Sequence, residues 1–342
     1  EEELADVYAP AFDDQHDPSA TKSPKRFIDA ISDGLKEAME KHQNLVLMGQ
    51  DIAEYGGVFK ITEGLSEHYG KARVRNTPLC ESAIVGAALG LSIAGKKAMV
   101  EMQFSDFVTC GFNQIVNNLA KTHWRWGQNA DVVIRMPTGA GVGAGPFHSQ
   151  STESWFFHVP GLKIVYPSTP EDAKGLLLAA FNDPNPVLFF EHKLLYRSLT
   201  GDVPDGYYTT PIGKARWARR GEDVSVITYG LGVHWAEKLQ EEMPNISMDI
   251  LDLRSLAPLD MEAVSDSVKR TGKVLILHED TITGGVGAEL AARVSQEMFE
   301  HLDAPIMRCA SIDTPVPFAA NLEDLFLANK RLEAIMKSLL DY

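Results

Sequence analysis

Short apolar runs alternate with patterns of helical periodicity along the first half of the chain. In PKRFIDAISDGLKEAMEKH, the residues Phe27, Ile31 and Leu35 fall on one face at helical spacing. Apolar runs that are typical of buried strands lie between such patterns, at residues 44–49, 97–104, 131–137, 162–167 and 186–191. Strands that alternate with helices in this way predict a mostly parallel sheet that is covered on both faces.

Three helices are predicted between these strands. One begins at Glu81, one spans about 107–122, and one is opened by the sequence STPEDAKGLLLAAF. In the last of these, Thr169 is suited to the N-cap position and Pro170 to the first helical position.

A second α/β series follows, with strands predicted at 223–230, 246–254, 273–280 and 305–310 and a last helix near 322–339. The sequence LTGDVPDGYYTTP is rich in Gly, Pro, Asp and Thr, which is typical of a linker. A chain of 342 residues is long enough for two domains. We therefore expect an acidic N-terminal arm at 1–22, a first domain at 23–198, a linker at 199–211 and a second domain at 212–342.

Charge and hydropathy exclude two classes of partner. The net charge of −15 argues against nucleic acid, which binds basic surfaces. The longest apolar run, from Ala83 to Ala94, is too short to cross a bilayer. The acidic start, EEELADVYAPAFDDQHD, is interpreted as a solvated arm or as the remnant of a longer precursor.

Three cysteines, Cys80, Cys110 and Cys309, lie far apart in apolar surroundings and form no CxxC pair. This pattern favours three reduced thiols in the protein core and a reducing compartment over a redox or metal site.

Two sequences resemble phosphate-binding motifs. GLSIAGKK, residues 90–97, has Lys97 where a P-loop needs Ser or Thr for magnesium, so we reject it. GGVGAEL, residues 284–290, follows a predicted strand, but no acidic residue closes a following strand at the required distance. A tight turn from strand to helix is therefore favoured there over a nicotinamide dinucleotide site. The sequence contains no GxSxG, HExxH or paired Cys/His metal motif.

The glycine-rich sequence MPTGAGVGAGPFHSQS, residues 136–151, leaves a predicted strand end and leads to His148. Ligands of open parallel sheets bind beyond the carboxyl ends of the strands, where this loop would lie. Ser149 and Gln150 could fix the histidine ring. A structural and a catalytic role of His148 both remain open at this point.

Glu81 stands at the head of an apolar helix that carries Ala83, Gly86, Ala87 and Gly90 on one face. These small side chains allow very close packing of another helix, which indicates an intimate interface. Glu81 is either a solvated capping carboxylate or a buried acid. Because an unpartnered buried acid is costly, a buried Glu81 should meet a basic ligand nitrogen or a hydrogen-bond donor.

Four sequences together resemble the β subunit of the thiamine-diphosphate-dependent 2-oxo acid dehydrogenases, the decarboxylating components of multienzyme complexes. They are residues 49–91, residues 145–177, NPVLFFEHKLLYR at 185–197 and LDLRSLAPLD at 251–260. The likeness extends from about Lys22 to the C-terminus. It implies a transketolase-like α/β fold, in which the first domain binds the aminopyrimidine of the cofactor and the second serves assembly.

The resemblance also implies roles for two residues. Glu81 matches the glutamate that bonds the pyrimidine N1′ of thiamine diphosphate and so promotes the imino form that activates the thiazolium carbon. This role requires a site kept from water. His148 matches the histidine that donates and accepts protons during acyl transfer to a lipoyl arm.

Further matches concern the ring pocket and an ion. Leu79, Gln103 and Phe107 match positions that line the pyrimidine; branched-chain relatives usually have Tyr at the last of these, so Phe107 puts that specificity in doubt. The sequence AAFNDPNP, residues 179–186, resembles a potassium-binding turn, in which the carbonyl of Ala180 and the side chains of Asp183 and Asn185 would be oxygen ligands. A helix stop explains the same composition.

The family's Gly-Asp-Gly…Asn motif for the diphosphate and Mg²⁺ is missing. The nearest match, PDG at 204–206, lies in the expected linker and has no predicted strand before it. The resemblance therefore implies an α subunit that holds Mg²⁺ and the diphosphate, in an α2β2 heterotetramer or as the first half of a fused αβ chain. The arm EEELADVYAP looks like the end of an α subunit, so the fused chain is kept as the less favoured alternative to a separate subunit.

We therefore expect the β subunit of a 2-oxo acid dehydrogenase that passes an acyl group to a lipoyl-bearing acyltransferase. HSQS and LLYR slightly favour a branched-chain 2-oxo acid, while pyruvate and acetoin stay open. The compartment would be the cytoplasm, or the mitochondrial matrix in a eukaryote. A nicotinamide oxidoreductase that uses GGVGAEL and a non-catalytic assembly subunit are the alternatives.

Overall fold

The computed structural model describes residues 4, 6–11 and 15–342. The chain divides into two compact units. The first comprises Glu1–Pro137, Phe156–Glu191 and Leu195–Ile212, and the second comprises Thr138–Trp155, His192–Leu194 and Gly213–Tyr342. The expected acidic arm at 1–22 thus lies partly outside the described residues. None of the helices in the described part of the chain is long and apolar enough to cross a membrane.

The first unit is built on a sheet whose strands follow the order β6-β7-β5-β4-β2-β3. The pairs β2–β3, β2–β4, β4–β5 and β6–β7 are parallel, as the sequence predicts. Almost every residue of these strands is buried, which fits the continuous apolar runs. The bounds are β2 Leu45–Gly49, β3 Val74–Asn76, β4 Lys97–Glu101, β5 Val132–Thr138, β6 Lys163–Val165 and β7 Val187–His192.

The helices in this part of the chain are α1 Phe27–Lys41, α2 Leu65–Tyr69, α3 Glu81–Ile93, α4 Ala120–Trp126, α5 Ser154–Phe157, α6 Pro170–Asn182 and α7 Leu195–Ser198. The predicted start of α6 is confirmed, because the Thr169 side chain accepts a bond from the Asp172 N–H and Pro170 is the first helical residue. Helix α6 also packs on α1, where the buried Lys174 donates to Asp33 and Glu37 at 2.9 Å each.

The helix expected at 107–122 is not one α-helix. A 3₁₀ helix spans Ser105–Gly111, a π-helix spans Gln114–Leu119, and only then does α4 begin. The Thr122 hydroxyl donates to the Asn118 carbonyl at 2.6 Å and so competes with the backbone ladder. Side chains that bond into the ladder widen or bend a helix, and local sequence periodicity does not reveal this.

The segment expected to be a linker, 199–211, begins with strand β8, Thr200–Pro204, which pairs antiparallel with β1, Lys22–Arg26. Val203 and Tyr208 from this segment are buried in one cluster of the first unit. PDG at 204–206 thus follows a strand, contrary to the expectation. Asp205 nevertheless bonds the Ser23 hydroxyl at 2.7 Å, so PDG closes this two-stranded ribbon and opens no helix.

The second unit contains a five-stranded sheet in the order β14-β13-β10-β11-β9. The predicted strands are confirmed and are mutually parallel, whereas the edge strand β9 is antiparallel and was not predicted, because its sequence RWAR is no apolar run. The strand bounds are β9 Arg216–Arg219, β10 Val224–Thr228, β11 Met248–Asp252, β12 Ser255–Ala257, β13 Val274–Thr281 and β14 Met307–Ser311.

The helices of this unit are α8 Leu231–Glu242, α9 Met261–Thr271, α10 Val286–Glu297, a 3₁₀ turn Phe299–His301, α11 Ala320–Phe326 and α12 Asn329–Leu340. The single helix expected near 322–339 is therefore two helices. Arg331 explains the break, because its guanidinium binds the carbonyls of Leu325 and Phe326 at 2.9 and 3.1 Å at the end of α11.

The prediction of three core thiols is right for one cysteine and wrong for two. Cys309 is buried on β14, and burial raises the pKa of its thiol to about 12. Cys80 and Cys110 are exposed. Cys80 occupies the N-cap of α3, just before the apolar run, and Cys110 lies in the 3₁₀ helix; both positions are at element ends rather than inside them.

Two of the buried acids in the second unit, Glu153 and Asp280, have carboxyl groups with raised pKa values. The Tyr229 hydroxyl donates to Glu153 at 2.9 Å, and the Ser154 hydroxyl donates to Asp280 at 2.5 Å. Burial raises the pKa of Asp280 to about 6, and the neighbouring Glu279 acts in the same direction. Burial also raises the pKa of Glu153 well above its ordinary value, with Asp280 adding repulsion. The folded unit therefore holds carboxyl protons that the unfolded chain would release.

We expect Asp280→Asn to stabilise the protein more at neutral pH than at acid pH. The unfolded chain loses the Asp280 proton near pH 3.8 and the folded chain near pH 6, so the wild type loses stability as pH rises through this interval. The difference corresponds to on the order of 2–3 kcal/mol of unfolding free energy. Urea unfolding of the wild type and of Asp280→Asn, at one pH below and one pH above the interval between these two pKa values, measures this free-energy difference.

The control is Asp313→Asn. Asp313 is exposed, and its bonds from Thr283 lower the pKa of its carboxyl, so its replacement should give no such gain at higher pH. An Asp280→Asn effect that is equal on both sides of the interval would contradict the buried-proton explanation.

Candidate active site

Glu81 is the first residue of α3 and is only 8 % exposed. It is therefore a buried acid and not a solvated cap. Gln50, which is 7 % exposed, donates from Nε2 to Oε1 of Glu81 at 2.9 Å. The acid thus meets a hydrogen-bond donor, which lowers the cost of its burial.

The end of strand β2 brings Gln50 to Glu81. Gly49 closes β2, and a Cβ at this position would lie 3.2 Å from the Glu101 carbonyl oxygen, so a larger residue would be crowded. The Gly49 carbonyl accepts a 2.9 Å bond from the Thr77 N–H in the segment that leads to α3. These contacts hold the carboxyl end of β2 beside the start of α3.

The 3₁₀ helix lies against the first turns of α3. A Cβ at Gly111 would be 3.3 Å from Val85 and 3.4 Å from the Glu81 carbonyl, so a residue without a side chain permits this approach. Phe107, from the same 3₁₀ helix, is half-buried and packs edge-on against Phe104 at 5.7 Å between ring centroids. An aromatic ring is therefore presented by the segment that packs on α3.

The other two residues predicted to line the pyrimidine lie close in sequence to α3 and to the 3₁₀ helix. Leu79 lies two residues before Glu81 and is 81 % exposed. Gln103 is half-buried and lies between β4 and the 3₁₀ helix. A buried carboxyl with a neutral donor on one oxygen, next to segments that carry aromatic and aliphatic side chains, fits a flat nitrogen heterocycle such as the aminopyrimidine of thiamine.

The small-residue face of α3 is largely exposed in this chain. Ala83, Ala87 and Gly90 are exposed, and Ile93 at the end of the helix is 57 % exposed. Ile84 and Val85 on the opposite side are buried. The described residues of this chain therefore leave the small face open.

A buried charge network joins three neighbouring strands of the first unit. Arg135 on β5 donates two bonds to Glu191 on β7, at 2.6 and 2.7 Å, and one to Glu101 on β4, at 2.5 Å. The Tyr196 hydroxyl donates to Glu191 at 2.7 Å. This network was not predicted, although the charged residues inside the apolar runs VVIRMP and VLFFEH were a signal of it.

The protonation of this network follows from its burial. Burial opposes the charge of Arg135, but the two carboxylates outweigh it and hold the pKa of the guanidinium above its ordinary value. Burial raises the pKa of Glu101, with Arg135 acting against it. One cation thus serves two carboxyl groups, and the strands that carry them are fixed to each other.

In the second unit, two carboxylates capture the backbone of the glycine loop. Glu279 at the end of β13 accepts from the Ala140 N–H at 2.6 Å. Glu323 on α11 accepts from the Gly141 N–H at 2.8 Å and from the Gly143 N–H at 3.1 Å. Because these acids lie far along the chain from the loop, the sequence analysis did not find them.

The start of the loop is fixed from its other side. His192 Nε2 donates to Glu279 at 2.6 Å, and Lys193 Nζ donates to the Gly139 carbonyl at 2.7 Å. Gly139 has φ +93°, and a Cβ there would lie 2.1 Å from His192 Nε2, so only glycine fits. Burial opposes ionisation of Glu279, but His192 and the bonded N–H groups outweigh burial and lower the pKa of Glu279.

His148 ends this anchored loop. It is half-buried, and its N–H donates to the Gly145 carbonyl at 3.3 Å. The next residues, Ser149 and Gln150, line a cavity of about 280 Å³, together with Glu279 and Asp280. The loop thus presents a titratable side chain next to a polar cavity, which is compatible with proton transfer. Glu81 and His148 belong to different units.

At the expected potassium turn, the side chains of Asp183 and Asn185 already have partners. Lys163 Nζ bonds the Asp183 carboxylate, and the Asn185 amide exchanges bonds of 2.8 and 2.9 Å with the backbone of Ala9. The described residues contain no group of three or more His, Cys, Asp and Glu side chains that could hold a metal ion. Pro184 cannot donate to the Ala180 carbonyl four residues before it, which is the oxygen that an ion would bind.

GGVGAEL forms the predicted turn between β13 and α10. A Cβ at Gly285 or Gly287 would lie 2.6 or 2.7 Å from the buried His278 ring. These glycines therefore allow the turn to pack on a side chain, which explains them without a dinucleotide.

Two family models match this chain. The family model described as transketolase, pyrimidine binding domain, matches residues 24–198, and the one described as transketolase, C-terminal domain, matches residues 213–331. A solved structure titled as a split gene transketolase, inactive beta4 tetramer, has a TM-score of 0.75 at 20 % identity and covers 92 % of this chain and 98 % of its own. It shares the fold.

Curated relatives are more similar in sequence. The 2-oxoisovalerate dehydrogenase subunit beta of Bacillus subtilis (strain 168) is 46 % identical over 322 residues, which cover 92 % of this chain and 98 % of the relative. The mitochondrial protein of the same name from Dictyostelium discoideum is 44 % identical, over 93 % and 87 %. The pyruvate dehydrogenase E1 component subunit beta of Rhizobium meliloti (strain 1021) is 40 % identical, over 88 % and 66 %. The chain therefore belongs to the family of 2-oxo acid dehydrogenase β subunits, which combine a transketolase pyrimidine-binding domain with a transketolase C-terminal domain.

Proposed function

We propose that this chain is the β half of a thiamine-diphosphate-dependent 2-oxo acid dehydrogenase. Together with an α subunit, it decarboxylates a 2-oxo acid oxidatively and passes the acyl group to the lipoyl arm of an acyltransferase. The single observation that carries the proposal is the buried Glu81 at the start of α3, with Gln50 on one oxygen.

Glu81 is the residue through which this chain acts on the cofactor. When bound, thiamine diphosphate supplies the nucleophilic carbon and the electron sink for decarboxylation. Glu81 holds a hydrogen bond to the pyrimidine nitrogen, and its burial keeps water from competing for that bond. Leu79, Gln103 and Phe107 bind and orient the pyrimidine.

His148 is the proton donor and acceptor for acyl transfer. Glu279 and Glu323 position it, since they fix the loop that leads to it. The second unit therefore contributes to the chemistry as well as to assembly.

An α subunit completes the site. The sequence carries no Gly-Asp-Gly…Asn motif for the diphosphate and Mg²⁺, so we assign both to the partner, in an α2β2 heterotetramer or in a fused αβ chain. The open face of α3, with Ala83, Ala87 and Gly90, is suited to the close contact that such an assembly needs. The compartment is the cytoplasm in a bacterium and the mitochondrial matrix in a eukaryote.

A branched-chain 2-oxo acid is the favoured substrate. The relatives from Bacillus subtilis, Dictyostelium discoideum and Arabidopsis thaliana, at 46, 44 and 43 % identity, are named 2-oxoisovalerate dehydrogenase subunits. Pyruvate remains the second candidate because a pyruvate dehydrogenase subunit is 41 % identical over 97 % of its length.

In the complex purified with its α partner, we expect ¹⁴CO₂ release from labelled 2-oxoisovalerate to exceed release from pyruvate. Glu81→Gln should lower kcat for both by roughly 100-fold or more, because the amide cannot exchange the proton. The exposed Glu67→Gln serves as the charge-matched control. Normal turnover with Glu81→Gln would leave only the assembly role.

For His148→Ala, we expect acyl transfer to a lipoyl domain to fall by roughly 100-fold, whereas decarboxylation with an artificial electron acceptor falls much less. The reason is that His148 moves a proton only in the transfer step. Parallel assays of the two reactions on the same preparation measure the ratio. Equal losses in both would contradict this assignment.

We also propose that the turn of Ala180, Asp183 and Asn185 takes K⁺ when Lys163 moves aside. The melting temperature of the complex should then be a few degrees higher in KCl than in NaCl of equal ionic strength, because the ion binds only the folded state. Asn185→Leu should remove the difference. Identical melting temperatures in both salts would mean that the Lys163–Asp183 ion pair closes the turn without an ion.

A further inference from the structure

Among the described residues, Gln50 is the one whose side chain forms a hydrogen bond with the Glu81 carboxyl group. Its Nε2 lies 2.9 Å from Glu81 Oε1, and both side chains are buried. A primary amide nitrogen is a donor only, and it gives up no proton in the physiological pH range. With Nε2 of Gln50 directed at Glu81, Oε1 of Glu81 acts as the acceptor of this bond.

This constraint decides which oxygen of Glu81 can carry a proton. A proton on Oε1 would make that oxygen a hydroxyl, and its hydrogen would lie close to the N–H of Gln50. A proton on Oε2 instead leaves Oε1 as a carbonyl oxygen, which accepts the bond from Gln50. We propose that Gln50 is a positioning residue that confines the proton of Glu81 to Oε2, the oxygen that faces the nitrogen heterocycle. The inference rests on the proposed function.

The backbone around Gln50 is rigid enough for such a role. Gly49 on one side is packed against the Glu101 carbonyl. On the other side the Ile52 carbonyl accepts from the Thr62 hydroxyl at 2.7 Å, and the Ala53 N–H donates to the Asn76 side chain at 2.7 Å. The backbone on either side of Gln50 is thus fixed by contacts that do not involve Glu81.

The charge network extends this support. Glu101 contacts Gly49 and is itself bound to Arg135 at 2.5 Å. The position of Gln50 therefore depends on the ends of β2 and β4 together, rather than on a flexible loop. A donor carried by backbone that is fixed in this way can discriminate between two oxygens of one carboxyl group.

Infrared difference spectroscopy tests the proposal directly. The complex loaded with thiamine diphosphate and Mg²⁺, minus the Glu81→Gln complex, isolates the bands of the Glu81 carboxyl. In Gln50→Met, the carbonyl stretch of protonated Glu81 should move to higher frequency, because Oε1 loses its N–H partner. An unchanged band would overturn the inference, since the carbonyl oxygen would not be the one that Gln50 binds.

Kinetics provide the second measurement. Gln50→Met should lower kcat for CO₂ release by roughly tenfold or more, with KM for the 2-oxo acid and the affinity for thiamine diphosphate within about twofold of wild type. Gln50→Glu keeps the size and polarity of the side chain but replaces the fixed donor by a second carboxyl that shares the proton. The kcat of Gln50→Glu should therefore stay below that of the wild type, as it does in Gln50→Met. Full activity of Gln50→Glu would contradict the proposal.

Controls separate a positioning role from a structural one. Gln43→Met changes an exposed glutamine and should leave the infrared band and kcat unchanged. A structural role of Gln50 predicts instead that melting temperature and cofactor affinity fall together with kcat, which would overturn the inference. If Gln50→Met does not assemble with its partner, Gln50→Glu tests the proposal, because this variant must also shift the infrared band of the Glu81 carboxyl group.

The two hypotheses fail in different ways. If Glu81→Gln turns over normally, the proposed function of the site is wrong. If Glu81→Gln is inactive but Gln50→Met has the wild-type band and the wild-type kcat, then the proposed function stands and only the role of Gln50 is refuted.

Discussion

The salt bridges of Arg135 are the interaction on which the first unit depends. A fully buried guanidinium is tolerable only when its donors are met, and here Glu101 and Glu191 meet them from the neighbouring strands. The same contacts fix the carboxyl ends of β4, β5 and β7, where an open parallel sheet binds its ligands. Through Glu101 the constraint reaches Gly49, and from there Gln50 and Glu81.

In the second unit, buried carboxylates and not a buried cation hold the local structure together. A glycine-rich loop loses much conformational entropy when it becomes ordered, and its N–H groups need acceptors. Glu279 and Glu323 supply these acceptors, and His192 offsets the burial of one of them. A loop that would otherwise be mobile thus becomes a defined support for His148. This explains why the C-terminal part of the chain, expected to serve assembly, carries acids that bind the loop leading to His148.

The sequence predicted those features that depend on local patterns. The parallel strands follow from apolar runs, the start of α6 from Thr169 and Pro170, and the helix at Glu81 from its uncharged run. Features that depend on contacts between distant residues were not predicted. They include the interrupted helix at 107–122, strand β8, and the acids Glu279 and Glu323 that bind the glycine loop. The exposure of Cys80 and Cys110 escaped for the same reason, because an apolar neighbourhood in sequence does not fix which side of an element faces inward. The roles of the site residues remain predictions.

The exposed parts of α3 bear on the proposed need for a partner chain. Glu81 is 8 % exposed, yet Leu79 just before it and Ile93 at the other end of the helix are 81 % and 57 % exposed. An apolar surface of this kind at both ends of α3 costs free energy in water, and covering it gains free energy. If the proposed α subunit covers this face, burial of the apolar surface and completion of the site around Glu81 occur together. A chain without that partner would then carry the correct residues in an incomplete site.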